Sequence, residues 1–451
     1  MSVNFIEWDR KTPFLLPPSI EDWLPEGHLA RFVVEVVEQL DLSSLKESYA
    51  GRGSQPHNPA MLVALLFYGY AVGVFSSRKL ERSTYDSVAF RYIAVNSHPD
   101  HDTIASFRKR FLKELTGLFV QILLVARQMG VLKLGNVSLD GSKVKAHASK
   151  HKALSYEHAC KLEAQLENEV AELLRKAEAA DRADLPDGLN IPEELQRREH
   201  RLEAIRKAKA EIEQRAAERH AREQAAYREK MAERARKEQE TGKKPAGKQP
   251  QPPVPGPTAK DQVNLTDEDS RIMPTSGGFE QCYNAQAGVD VATKIIVSAH
   301  VTQEPNDKQQ MKPTLEKLAV LPRELGEVTG LISDSGYFSE ANVQACESQG
   351  ITPYIAVDRE HHNQGLWDRF REPPALPEDA DAVSRMKHRL KTAAGKTIYA
   401  LRKVTSEPVF GIIKAVLGFR SFRMRGSEAA DGEWNLVCMA WNIKRLHALT
   451  R

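Results

Sequence analysis

Two short apolar runs in this chain end on an aspartate. Residues 136–139, NVSL, lead into Asp140-Gly141, and residues 328–333, VTGLIS, lead into Asp334. β-Branched and apolar residues over so few positions predict buried strands, and the glycines that follow predict breaks, so Asp140-Gly141 is read as a turn. Each carboxylate stands where its strand should end, pointing out of the fold. Few folds place two such strand ends at one edge.

Composition narrows the field further. A chain of 451 residues should form more than one domain and bury a sizeable core. Its net charge is only +3, although 28% of the residues are charged. A near-neutral total does not exclude nucleic acid, because local patches matter more than the sum. Cys160, Cys282, Cys346 and Cys438 are far apart and form no CxxC pair, which argues against a zinc site or a disulfide framework and fits a reducing cytoplasm. The first residues carry early acids and no apolar core, so no signal peptide is expected. The apolar stretch 60–75 is shorter than the roughly 18 residues of a membrane span. Asn58-Pro59 before it reads as an N-cap followed by proline at the first helical position, which predicts a buried helix.

Four regions follow from the patterning. Residues 1–130 predict an all-α, DNA-binding domain, with one helix running from about Thr103 behind an Asp102-Thr103 cap. Arg108, Lys109, Arg110 and Lys113 near its start read first as a solvated face, with a DNA-contacting face as the sharper alternative. His98 and His101 lack partners for a metal set and read as a capped loop. Residues 131–150 hold the first strand and Asp140. Residues 151–275 predict an inserted helical hairpin and a Pro- and Lys-rich tether. The apolar positions Leu162, Leu166, Val170, Leu173 and Ala177 share one stripe of the first hairpin helix. The second helix is polar with little to bury, and the region serves dimerisation, DNA contact or spacing. Residues 276–451 return to a mixed pattern. They predict strands at 283–291 and 294–302, a helix, the strand ending in Asp334, a helix closed by Gly350, a strand at 352–357, a loop at 359–382 and a helix over 405–418.

Three strands followed by alternating helices and strands make the ribonuclease-H-like order, an α/β sheet with crossover helices. The predicted fold is therefore an α/β ribonuclease-H-like domain, an N-terminal all-α domain and an inserted helical hairpin. Asp140 and Asp334 gather at one sheet edge there, and a crossing helix adds Glu407. Pro408 disfavours helix at the residue before it, which predicts Glu407 near a helix start, where an acid is also favoured by the helix dipole. Glu340 and Glu360 are rival third acids without its basic neighbourhood. Arg402, Lys403, Lys414, Arg420, Arg423 and Arg425 crowd around Glu407 like a groove for phosphates.

Several segments together resemble the DDE transposases of bacterial insertion sequences, in the branch with a Tyr-Arg-Glu-Lys signature. VSLDGSKVKAHAS resembles the first-aspartate motif, and LISDSGYFS the second. NLTDEDSRIM with GGFEQCYNAQAGVD resembles the lead into the second strand, and YALRKVTSEPVFGIIKAVLGFRSFRMRG the glutamate motif. RGSQPHNPAMLVALLFYGYAVGVFSSRKLE and HPDHDTIASFRKRF resemble the helical N-terminal domain. The likeness covers most of the chain outside 155–260. Arg402 keeps the residue type of the signature arginine and Lys403 keeps its spacing to the glutamate, so either one fills that position.

The resemblance implies a metal-dependent enzyme that cuts element ends and joins the freed 3′-hydroxyls to target DNA. Asp140, Asp334 and Glu407 would hold two magnesium ions about 4 Å apart, with manganese as a substitute. Tyr399, Lys414 and Lys143 would hold phosphates beside the scissile bond. The implied partner is double-stranded DNA at the element ends and target, bound by a homodimer or larger assembly at the nucleoid in the cytoplasm, without a membrane. A nuclease on the same fold and a non-enzymatic DNA-binding protein are the alternatives.

Overall fold

The computed structural model describes residues 19–49, 56–180, 191–242, 247–357, 372–377 and 380–451. The breaking segment at 181–190, Glu360 and most of the loop expected at 359–382 lie outside the described residues. The chain divides into two compact units, 1–144 with 283–451, and 145–282.

The first unit holds a mixed sheet of β1 (Leu134–Lys145), β2 (Gly278–Asp290, from Tyr283 on), β3 (Ile296–Thr302), β4 (Gly326–Ser333) and β5 (Thr352–Ile355), in the order β3-β2-β1-β4-β5. The first three strands in sequence lie side by side. β4 and β5 then extend the sheet in parallel beyond β1, joined through the helix Glu340–Ser348. Ser339 caps that helix by accepting from Asn342 N, and Gly350 follows it at φ +72.

One local expectation fails here. β1 does not turn at Asp140-Gly141 but continues to Lys145. Gly141 answers a packing need instead. A Cβ there would fall 2.8 Å from Asp307 Oδ1 and closer still to Gln286 Nε2. Its neighbour across the sheet, not chain reversal, requires the missing side chain.

The described helices of 1–130 belong to the same unit. Asn58 Oδ1 accepts from Ala60 N at 2.9 Å and Pro59 opens the helix Pro59–Ala71, whose residues from Leu62 to Ala71 are all buried. None of the described helices is long and apolar enough to cross a membrane. The helix expected from Thr103 is two helices, His101–Arg110 and Leu112–Gln128. Its cap is Asp100, which accepts from Thr103 N at 2.8 Å. His101 Nδ1 lies 2.8 Å from Glu81, and His98 stacks on Tyr85.

Arg108 departs from both readings of the basic run. It is 6% exposed and donates to Tyr70 Oη at 2.8 Å and Phe75 O at 3.0 Å. It is a core residue because partners distant in sequence take up its Nη1, while its buried Nε makes no hydrogen bond. The sequence also gave no warning of the helix Ser427–Leu449. It contacts β3, Leu112–Gln128 and Pro59–Ala71, and so joins sheet and N-terminal helices into one core. Asn442 exchanges two 2.8 Å hydrogen bonds with the backbone of Ile296, and Trp434 Nε1 donates to Gln286 O at 2.8 Å.

The second unit is built on the helices Tyr156–Ala180 and Ile191–Thr241. The apolar stripe has a partner after all. Leu166 shares a core with Leu202, Ile205, Ala208 and Ile212 of the second helix, closed by Leu154 and Val263 of a short antiparallel strand pair. The polar look of the second helix reflects one narrow buried face on a long exposed rod. The segment read as a tether is fastened along this helix. Gly247 O accepts from Arg234, Gly256 O from Arg219, and Asp261 receives both terminal nitrogens of Arg219 at 2.9 Å.

Candidate active site

β1 and β4 run parallel with Ser138 opposite Ile332. Continuing that register by two residues sets Asp140 beside Asp334. β4 stops at Ser333, and Asp334 caps the short turn Ser335–Tyr337, its Oδ1 accepting from Gly336 N at 2.9 Å. Asp140 Oδ1 accepts from Gly141 N at 2.8 Å. Burial pushes the Asp140 carboxyl up to about 6. The Gly141 N–H and the Arg402 guanidinium pull it down, while Asp334 and Asp307 push it further up.

Glu407 lies on the helix Arg402–Gly411, and among the described residues its carboxylate is not gathered with Asp140 and Asp334 into a three-acid group. The helix is fastened to β1 one residue earlier, where Ser406 Oγ donates to Asp140 Oδ2 at 3.4 Å and lies 3.1 Å from Ser138 Oγ. Glu407 is the sixth residue of this helix rather than near its start, and Pro408 lies inside it. Burial of Thr405, Ser406, Val409 and Phe410 outweighs the local preference against helix before proline. A π-helical turn, Ile412–Val416, follows. Glu407 Oε1 pairs with Arg402 Nη2 at 2.9 Å, with side chains 47% and 18% exposed, whereas Lys403 is exposed.

The basic residues fall into two groups. Lys414 lies over β1, donating to Ser142 Oγ and to Lys143 O at 2.7 Å, and Lys143 Nζ lies 3.5 Å from Asp307. Arg420 Nε donates to Lys414 O at 3.2 Å, and Arg420, Arg423 and Arg425 are exposed along the following loop. Tyr399 is half-buried near the end of the helix Ala393–Ala400.

Asp307 escaped the sequence reading. Its Oδ1 accepts from Asn284 Nδ2 and Gln286 Nε2, both at 2.7 Å. Gln286 Oε1 in turn accepts from the hydroxyl of Tyr337, three residues past Asp334. The chain Tyr337–Gln286–Asp307–Lys143 thus ties the Asp334 turn to the strand of Asp140 through β2. One signal was available. Asn284 and Gln286 are polar residues two apart in an otherwise apolar buried strand, on one face of the sheet.

Among the described residues no three His, Cys, Asp or Glu side chains are gathered as a finished metal cage. The donors nonetheless suit a hard divalent cation. Two carboxylates from neighbouring parallel strands lie together, and burial, with Asp334 and Asp307 nearby, raises the Asp140 carboxyl to about 6.

Two family models match the chain. One described as Transposase domain (DUF772) matches residues 18–110, and one described as Transposase DDE domain matches residues 252–443. The second includes Asp334 and Glu407, while Asp140 lies between the two matched stretches. No curated protein and no solved structure matches the chain.

Proposed function

We propose that this chain, a DDE transposase by its two matched domains, nicks the ends of an insertion sequence and joins the freed 3′-hydroxyls to target DNA, with Asp140, Asp334 and Glu407 as the metal-holding acids. The observation that carries this reading is the register-adjacent pair Asp140 and Asp334, to which Ser406 fastens the helix of Glu407. Two magnesium ions, or manganese in their place, would supply activation of a water or 3′-hydroxyl and stabilisation of the leaving oxygen.

The chain's own residues bind and orient. Asp140, within β1, and Asp334, just past the end of β4, offer oxygen donors that the sheet holds still. Glu407 turns from Arg402 toward them, which leaves the Arg402 guanidinium for a phosphate. Lys143 and Lys414 place positive charge just beyond Asp140. Tyr399 flanks the scissile phosphate, Lys403 adds exposed positive charge farther from it, and Arg420, Arg423 and Arg425 grip the duplex. Tyr399, Arg402, Glu407 and Lys414 make up the Tyr-Arg-Glu-Lys signature, with Arg402 rather than Lys403 in the basic place. Two ends need two active sites, so the working form on double-stranded DNA in the cytoplasm is at least a dimer.

The test is cleavage and joining of an end-bearing duplex with and without magnesium. Magnesium-dependent nicking followed by joined product is expected. Nicking without joining would favour a nuclease, and binding without nicking a DNA-binding protein.

A further inference from the structure

The loop 418–426, GFRSFRMRG, alternates two kinds of residue. Arg420, Arg423 and Arg425 are exposed, while Phe419 and Phe422 are buried. Phe419 packs edge-on to Phe75 and Phe422 edge-on to Tyr283, with ring centres 5.2 and 5.7 Å apart. These rings fix the depth of the loop, but an aromatic contact sets no peptide plane.

The peptide plane is set by Glu433. Its Oε2 accepts from two successive backbone amides, Arg423 N at 2.7 Å and Met424 N at 3.1 Å. Glu433 is fully buried in the helix Ser427–Leu449. Its Oε1 accepts from Tyr70 Oη at 3.0 Å, and Tyr70 Oη accepts from Arg108 Nη1 at 2.8 Å. Tyr70 and Arg108 both lie in the stretch matched as a transposase domain, and the loop lies in the stretch matched as a DDE domain.

A buried chain of polar and charged groups is a poor way to gain stability, since apolar residues of the same volume do as well or better. What such a chain supplies is a fixed geometry, because each member must keep its partners. Here the fixed element is the backbone from which Arg423 and Arg425 project.

We infer that Glu433 is a positioning residue for DNA, and that Tyr70 and Arg108 make the N-terminal helices set the grip of the arginine loop. The inference rests on the proposed role of that loop in binding phosphates.

The test is binding of a duplex by fluorescence anisotropy across a salt series, with Arg423→Ala as the reference. Glu433→Ala should weaken binding about tenfold at about 0.15 M salt and make the salt slope shallower by about one, as if a phosphate contact were lost. Glu433→Gln, which keeps one oxygen for the two amides, should recover most of the slope. Single-turnover cleavage at saturating DNA should stay at the wild-type rate in both. Should Glu433→Ala fail to fold, Tyr70→Phe keeps the ring packing and should shift the slope in the same direction by less. A simple loss of folded protein lowers the active fraction without changing the slope. Folded Glu433→Ala or Tyr70→Phe protein with wild-type affinity and slope, beside a weakened Arg423→Ala, would overturn the inference alone. An unchanged Arg423→Ala would overturn the phosphate reading of the loop, and the inference with it.

Discussion

Ser406 Oγ donates to Asp140 Oδ2 at 3.4 Å, and this bond fastens the helix of Glu407 to the strand of Asp140. Strand and helix are 266 residues apart in the chain. The hydroxyl also meets Ser138 Oγ, so a small buried pair of serines fixes where the helix of Glu407 sits on β1.

Ser406→Ala should therefore cost only about 1 kcal/mol of stability, the usual net value of one hydrogen bond. Its cleavage rate should fall about tenfold, with DNA affinity retained. Urea unfolding and single-turnover cleavage measure the two quantities. A wild-type cleavage rate in Ser406→Ala would mean that helix packing alone places Glu407.

Asp140→Asn, Asp334→Asn and Glu407→Gln should each abolish cleavage while leaving duplex binding within about threefold, because the carboxylates serve the metals and the basic residues serve the phosphates. Glu407→Gln cutting at the wild-type rate would remove it from the triad and direct the same substitution to Glu340 or Glu360.

The charge on Asp140 gives a pH dependence. Its folded carboxyl titrates at about 6, above the ordinary value of 3.8. The fold thus prefers the protonated form. Its contribution to stability is full below the ordinary value and is lost as pH rises through about 6. Asp140→Asn imitates the protonated form at every pH. The melting temperature of metal-free Asp140→Asn should match the wild type near pH 4 and exceed it by pH 7. Magnesium at pH 7 should raise the wild type more than the variant. A variant less stable than metal-free wild type at pH 7 contradicts the crowded, under-neutralised site.

Arg402 and Lys403 compete on paper for one role. Arg402→Ala should slow cleavage at least tenfold, because it removes the guanidinium that Glu407 yields to a phosphate, whereas Lys403→Ala, altering an exposed side chain, should change it less than twofold. Equal effects would remove the distinction that the geometry draws.

Gly141→Ala would push a methyl group against Gln286 and Asp307. Overpacking of this kind costs about 1–3 kcal/mol. It should also slow cleavage, since Gln286 holds Tyr337 behind Asp334. A Gly141→Ala protein with full stability in urea would show that glycine is needed there for some other reason.

Local pattern was enough for the parts of this molecule that depend on neighbours in the chain. The strand into Asp334, the Asn58-Pro59 helix start and the Ser339-to-Gly350 helix could all be read directly. Each is written in side-chain period, caps and breakers within a dozen residues. Asp334 was legible for the same reason, as an acid closing an apolar run, whereas Asp140 lies inside a strand that continues to Lys145.

What lay beyond local pattern was decided by partners far away in sequence. Asp307 looks like any loop acid until Asn284, Gln286 and Lys143 surround it. Arg108 reads as one charge in a basic run until Tyr70 and Phe75 enclose its donors. Gly141 reads as a turn until a side chain from the next strand covers it. The helix Ser427–Leu449 is buried on so much of its surface that it carries no amphipathic stripe to announce it. Periodicity records which face of an element is covered, so the sequence by itself determined the elements with one covered face and the strand that stops before Asp334. Only tertiary packing decided what covers each face, because a charge or a gap acquires its meaning from the group that meets it.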